Sequence, residues 1–239
     1  MTGISWSSYW SAAEAYIDDL SVTEYVPLAF AGTNRGQVAY GQEVLPQDGR
    51  ELVAQDWVNS SDGKRMLAVL RNGSYGLDCT KQELHFSLIR GAAYSAHPIP
   101  NRPLIRSDRY IPRIDQGEHT FSFRLIGGKH VNMEQELERY AQLFNEKPFC
   151  LQMFPTCDMG EKAKSLLKLE GDQVIMTAFK ASVDGGYVLR LFNNLPRAAS
   201  CECTIQHLNL SESLQFRPFE VRTFRLTQKG LESCTEMII

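Results

Sequence analysis

Two carboxylates and a histidine crowd the stretch RIDQGEHTFSFRL, residues 113–125, where Asp115, Glu118 and His119 surround Gly117. Carboxylates at such spacing are the raw material for acid–base cleavage of a glycosidic bond, which needs two carboxyl groups roughly 5–9.5 Å apart, depending on mechanism. Asp and Glu three residues apart on a turn reach the lower end of that range. The same residues also make a sound turn. Asp115 precedes a glycine, where its side chain can accept from nearby backbone N–H groups. His119 opens a strand on the face of Phe121 and so points toward a core, with Asp115 or Glu118 as its polar partner. The braced turn is the favoured reading, because turn networks perturb titratable groups as active sites do.

The other constellations are weaker or level. Cys201, Cys203 and His207 carry metal-binding atoms, but their spacing fits no zinc pattern, and a strand with its alternate residues in a core explains them. His97 and His130 stand alone, so no metal is expected in this chain. NGSYG, residues 72–76, lacks the register of a nucleophile elbow. GTNRG and GGK are too short for phosphate loops. There remains the loop Arg71, Asn72, Gly73, Ser74, Tyr75 and Gly76. Its glycines permit close backbone approach, and its side chains offer donors, acceptors and a ring. A sugar-contacting turn and an ordinary β-turn with Tyr75 half-buried stand level on these residues alone.

The elements that must position these groups are mostly strands. ELHFSLIR alternates, with Leu84, Phe86 and Leu88 on one face, and HTFSFRL does the same with Phe121, Phe123 and Leu125. Four prolines make the segment between them a long loop. VIMTAFKAS and GYVLRLFNNL flank VDGG, a hairpin turn. CECTIQHLNL puts Cys201, Cys203, Ile205 and His207 on one face, and EVRTFRLTQ closes the β region. The segment from Ser5 to Leu20, rich in Ala, Trp and Tyr, reads as a helix, although Asp18 and Asp19 oppose its dipole. A second helix lies between Gly127-Gly128 and Pro148, with Asn132 as N-cap, Gln135 completing a capping box, and Val131, Leu137, Tyr140, Ala141 and Phe144 as its apolar face. A tail is expected from Lys229 onward.

Composition narrows the function. The 239 residues are 43% hydrophobic and 22% charged, ordinary for a globular protein, and suffice for one large β domain or two smaller ones. A net charge of −3 argues against a nucleic-acid partner. No apolar run is long enough for a bilayer, which argues against a membrane partner. The N-terminus has no signal-peptide pattern, so the six scattered cysteines are expected as reduced thiols in a cytoplasmic protein.

Five segments in order carry a family resemblance: MLAVLRNGSYGLD, LHFSLIRGAAYSAHP, DQGEHTFSFRL, VIMTAFKASVDGGYVLRLFNN and EVRTFRL. Together they resemble the C-terminal part of family 38 glycoside hydrolases, the retaining α-mannosidases, in their bacterial form, over roughly residues 42–226. In that family an upstream β/α barrel holds the zinc, an Asp nucleophile and an acid–base Asp, and no counterpart of its metal motifs stands here. The resemblance implies a mainly β chain: a partly helical N-terminal segment (1–30), later strands of a large, galactose-mutarotase-like super-sandwich (31–130), a connecting helix (131–149), a C-terminal β-sandwich (150–229) and a tail (230–239). It implies that residues 71–76 approach the sugar pocket of the complete enzyme, with Asp115, Gly117, His119 and Phe121 a scaffold signature rather than a catalytic pair.

The expected function is a non-catalytic β region of an α-mannosidase of mannose metabolism. It would pack on the catalytic domain, be inactive alone, hold no cofactor, leave zinc to the barrel and contact mannosides only in the complete enzyme. Isolated, it is expected to self-associate. A stand-alone carbohydrate-binding module with Trp57, Tyr75 and Tyr110 as stacking platform is the alternative; a third reading is a glycosidase using Asp115 and Glu118.

Overall fold

A computed structural model describes residues 4–8, 21–91, 117–150, 165–171, 174–182, 185–227 and 230–234. Among them the chain is mainly β, with one α-helix, and divides into two units, residues 1–38 with 42–133 and residues 39–41 with 134–239.

In the first unit, alternating apolar residues build two sheets that close on one core. One has the order β1(Ile4–Ser8), β10(His119–Lys129), β7(Arg65–Arg71), β6(Trp57–Ser61), β3(Thr33–Val38), β4(Gly41–Val44). The other runs β2(Ser21–Pro27), β9(Glu83–Arg90), β8(Gly76–Cys79), β5(Leu52–Val53). Val58, Val69 and Phe123 of the first meet Leu77, Leu84 and Phe86 of the second, all buried. The alternation in ELHFSLIR serves this core, with Leu84 and Phe86 inside and Leu88 packed against them. Phe121 and Phe123 also join it, while Leu125 is exposed. The glycines of GTNRG serve packing: a Cβ on Gly32 would come 2.6 Å from the Ser61 carbonyl oxygen, and one on Gly36 2.7 Å from Ala54.

On the opposite side of β9, His85 Nδ1 is hydrogen-bonded with Asp78 of β8 at 2.6 Å and its Nε2 lies 3.0 Å from Glu83, with the Tyr25 ring of β2 4.5 Å away. This row ties three strands at their partly covered face. Replacing His85 by alanine removes both bonds and is expected to cost about 1 kcal/mol of stability, read as a lower urea midpoint with unchanged slope.

The second unit repeats the plan with a three-stranded sheet, β11(Lys168–Gly171), β14(Ala199–Ile205), β15(Leu210–Phe216), and a four-stranded one, β12(Val174–Ala181), β13(Tyr187–Asn193), β16(Val221–Thr227), β17(Gly230–Cys234). Leu189, Leu191, Phe224 and Leu226 pack against Cys201, Cys203, Ile205 and Phe216. Buried Asn193 donates to the carbonyls of Arg197 and Arg217, both at 2.8 Å, and so holds two loops together. The β12–β13 connection turns on Gly185 and Gly186, at φ 85° and 93°, conformations that glycine adopts freely.

Four expectations change. The helix expected from Ser5 opens as strand β1, paired with β10 from Ile4↔Phe123 to Ser8↔His119, because a ladder partner supplied from far along the chain outweighs local composition; residues 9–20 lie outside the described residues. The N-terminal thirty residues also include β2, paired with β9. The helix α1 spans His130–Asn145, so Asn132 lies within its first turn instead of capping it. His130 sits at the start, with its Nδ1 2.9 Å from Ser61 Oγ; Met133, Leu137 and Ala141 are buried while Val131 is exposed. Residues 230–234 are not tail but the edge strand β17, with the Leu231 N–H donating to Glu212 at 2.8 Å and its side chain on the core.

Candidate functional site

The turn 72–75 leaves one sheet of the first unit and enters the other, since β7 ends at Arg71 and β8 begins at Gly76. A glycine is required in it: Gly73 adopts φ 76°, with nothing within 4 Å of a notional Cβ. Beside it runs the segment 54–56, tied on by the Ala54 N–H donating to the Tyr75 carbonyl at 3.1 Å and the Arg71 N–H donating to the Asp56 carbonyl at 2.8 Å.

The six residues singled out from the sequence take different roles. Arg71 is only 1% exposed. Its Nη2 donates to the carbonyls of Ala54, Gln55 (3.2 Å) and Tyr75 (3.4 Å), and its Nη1 to that of Gly76 (3.4 Å). The guanidinium lies 5.1 Å over the Phe86 ring. Burial pushes its pKa down to about 10, against the opposing pull of Asp56, so it remains charged at neutral pH. Burial in turn holds the Asp56 carboxyl above its ordinary range, with Arg71 drawing it back. Ser74 is buried and donates to the Ser87 carbonyl at 2.9 Å. A Cβ on Gly76 would come 3.2 Å from the Ser87 Cβ. Asn72 and Gly73 face solvent, and Tyr75 is 53% exposed. The turn is thus an aromatic side chain and two small residues, carried on a backbone pinned from below by Arg71 and Ser74.

Of the other constellations only some members fall among the described residues. Asp115 lies outside the described residues, as do His97 and Tyr110. Glu118 is exposed, and the His119 ring stacks on Phe121 at 6.2 Å. Trp57 is 5% exposed, which removes it from a stacking platform. Cys201 and Cys203 are core residues. Among the described residues no group of three His, Cys, Asp or Glu side chains is placed to hold a metal ion, and no helix is long and apolar enough to cross a membrane.

The thiols differ in access. Cys79 and Cys203 are buried free thiols, Cys150 is an exposed one, and Cys201 is buried. Burial, with Cys201 and Glu212 nearby, pushes the Cys203 thiol up to about 11. In a brief iodoacetamide pulse at pH 8, Cys150 is expected to label and Cys203 to stay unlabelled until denaturant is added, read by peptide mass spectrometry.

Two solved structures share this arrangement of strands. An α-mannosidase from Enterococcus faecalis superposes on 86% of the chain with a TM-score of 0.67 at 18% identity. A protein in glycosyl hydrolase family 38 from the same organism does so over 86% with a TM-score of 0.65, also at 18% identity. The fold is that of part of an α-mannosidase. The chain spans about a quarter of the length of each of these proteins, 25% and 26%. No protein-family model matches the sequence, and no curated protein matches it.

Proposed function

We propose that this chain is the non-catalytic β region of a retaining, family 38 α-mannosidase, and that its turn 72–75 forms part of the mannose site of the complete enzyme. The observation that carries the reading is the superposition of 86% of the chain on a quarter of an α-mannosidase. The five sequence segments that resemble the family lie in the same order, and most of their residues fall on the strands of both cores. The parent reaction is hydrolysis of α-mannosidic bonds through a glycosyl-enzyme intermediate. The carboxylates and the zinc belong to a barrel outside this chain. Here the chain's part is to pack on that barrel and to present Tyr75, Asn72 and the backbone of Gly73 to the sugar. A half-exposed aromatic ring on a pinned backbone suits this work, since a fixed ring loses little entropy when it meets a pyranose face. A cytoplasmic location belongs to the same proposal and is supported by Cys79, Cys150 and Cys203 standing as thiols.

Self-association of the isolated chain follows from its surface. Val44 on the strand β4 and Val53 on the strand β5, each ending its sheet order, are 61% and 68% exposed. Light scattering at rising protein concentration is expected to show mass above the monomer; a constant monomer mass would count against it. The whole reading is tested by expressing the chain with the barrel-bearing polypeptide. Co-purification and α-mannosidase activity only in the pair support it, and separate elution of the two overturns it.

A further inference from the structure

We propose that the Asn72–Gly73 step is a modification site, at which the exposed turn deamidates spontaneously to an aspartate or isoaspartate. It is the single Asn-Gly step in the sequence, and the asparagine amide is a chemically labile group. The chemistry needs only water. The backbone nitrogen of Gly73, as it loses its proton, attacks the side-chain carbonyl carbon Cγ of Asn72. The Cγ–Nδ2 bond breaks, and the amide nitrogen takes up a proton and leaves as ammonia. A five-membered succinimide is closed. Water then opens the ring. Opening at Cγ gives an aspartate, and opening at the backbone carbonyl gives an isoaspartate, whose chain runs through the former side chain. One water enters, one ammonia leaves, and nothing is oxidised or reduced.

The surroundings favour the reaction here over its competitors. Asn72 and Gly73 both face solvent, and a Cβ on Gly73 would have nothing within 4 Å. Lacking a Cβ, Gly73 leaves its nitrogen unshielded and its backbone free to turn toward the attacking geometry. Neither residue enters a hydrogen bond among the described residues. Asp48-Gly49 and Asp62-Gly63 also turn through glycines of positive φ, 76° and 84°, but an ionised carboxylate is a poor electrophile. The Arg65 and Lys64 N–H groups, at 2.7 and 2.9 Å, hold the Asp62 carboxyl well below its ordinary range. The Arg50 N–H, at 3.3 Å, lowers that of Asp48. Asn34, Asn59 and Asn193 are buried. Asn209 is exposed at φ 50°, yet the nitrogen that follows it belongs to Leu210, whose side chain shields it. The product matters because the turn is fixed at both ends, by Arg71 below and by Ser74 donating to the Ser87 carbonyl at 2.9 Å. Either product adds a negative charge between these anchors, and the isoaspartate also lengthens the backbone there. Where the turn meets a mannoside, this ageing weakens sugar binding. That consequence rests on the reading proposed above, whereas the deamidation does not.

The test incubates the full 239-residue chain, native and in urea, at pH 6 and pH 8. Peptide mass spectrometry follows the amide becoming an acid, and an isoaspartyl methyltransferase marks the isoaspartate. In the native chain at pH 8, Asn72 is expected to convert about tenfold faster than Asn209, since glycine leaves the attacking nitrogen open. Conversion is expected to slow at pH 6, because that nitrogen must give up a proton. Asn72→Gln is expected to abolish the isoaspartate, its longer side chain closing a six-membered ring only slowly. An Asn72 that stays intact while other asparagines convert overturns the site, and so does conversion confined to the urea-treated chain. In a second arm, aged chain is paired with the barrel-bearing polypeptide. The kcat/KM for an aryl α-mannoside is expected to fall as Asn72 converts, and to hold at its starting value in Asn72→Gln aged alongside. Conversion with no fall in kcat/KM would leave the modification standing and overturn its effect on the sugar site.

Discussion

Arg71→Leu is expected to lower the stability of the chain by about 3–5 kcal/mol, the range for removing one partner from a buried charged network. Leucine fills part of the space over Phe86 but donates nothing. The carbonyls of Ala54, Gln55, Tyr75 and Gly76 then lose a donor where water has little access. Arg71→Lys is expected to fall between the two, because an ammonium keeps the charge but cannot reach four carbonyls with a planar fork. Asn72→Ala, one residue along and exposed, should change stability by no more than about 0.5 kcal/mol. Urea denaturation of the three variants checks the order. Equal, small effects at positions 71 and 72 would mean that the guanidinium is not the brace described.

In the barrel-bearing enzyme, Tyr75→Ala is expected to reduce kcat/KM for an aryl α-mannoside by about tenfold or more, a loss of about 1.4 kcal/mol of transition-state binding. The substitution spares the backbone that Arg71 holds: the Tyr75 carbonyl still accepts from Ala54 and Arg71. The denaturation midpoint of the chain should therefore move little. Activity and stability are expected to separate at position 75 and to fall together at position 71. An unchanged kcat/KM in Tyr75→Ala would remove the turn from the sugar site.

The sequence carried much of the fold on its period. Leu84, Phe86 and Leu88, and Phe121 with Phe123, alternate because each strand has one side on a core, and such a pattern survives any detail of topology. The strand Ile4–Ser8 was not legible, because its pairing partner lies more than a hundred residues away and its Trp- and Ser-rich composition suits more than one conformation. Helix α1 was found but started two residues late: Asn132 fits a cap by type, whereas the chain enters the helix directly from β10 at His130. Strand β17 was missed because GLESC holds a single inward apolar residue, Leu231, and depends on its neighbour β16.

The candidate site was legible in place more than in role. Glycine at position 73 and tyrosine at 75 mark an exposed turn in any context. Arg71 reads in sequence as a donor at a strand end. Only the three-dimensional arrangement shows its guanidinium turned inward to bond carbonyls 16 and 17 residues upstream. The row Asp78, His85 and Glu83 was passed over because its members look like solvent-facing positions of two alternating strands, and cross-strand register alone brings Asp78 and His85 opposite each other.

The proposed role of this chain is to contribute structure and a loop to an α-mannosidase without catalysing on its own. The most direct measurement is release of nitrophenol from nitrophenyl α-mannoside by the purified chain, alone and together with the barrel-bearing polypeptide, with Asp115→Asn and Glu118→Gln variants alongside. No turnover is expected from the chain alone, turnover from the pair, and the same turnover in pairs made with either variant. Turnover by the isolated chain that disappears in Asp115→Asn would contradict it.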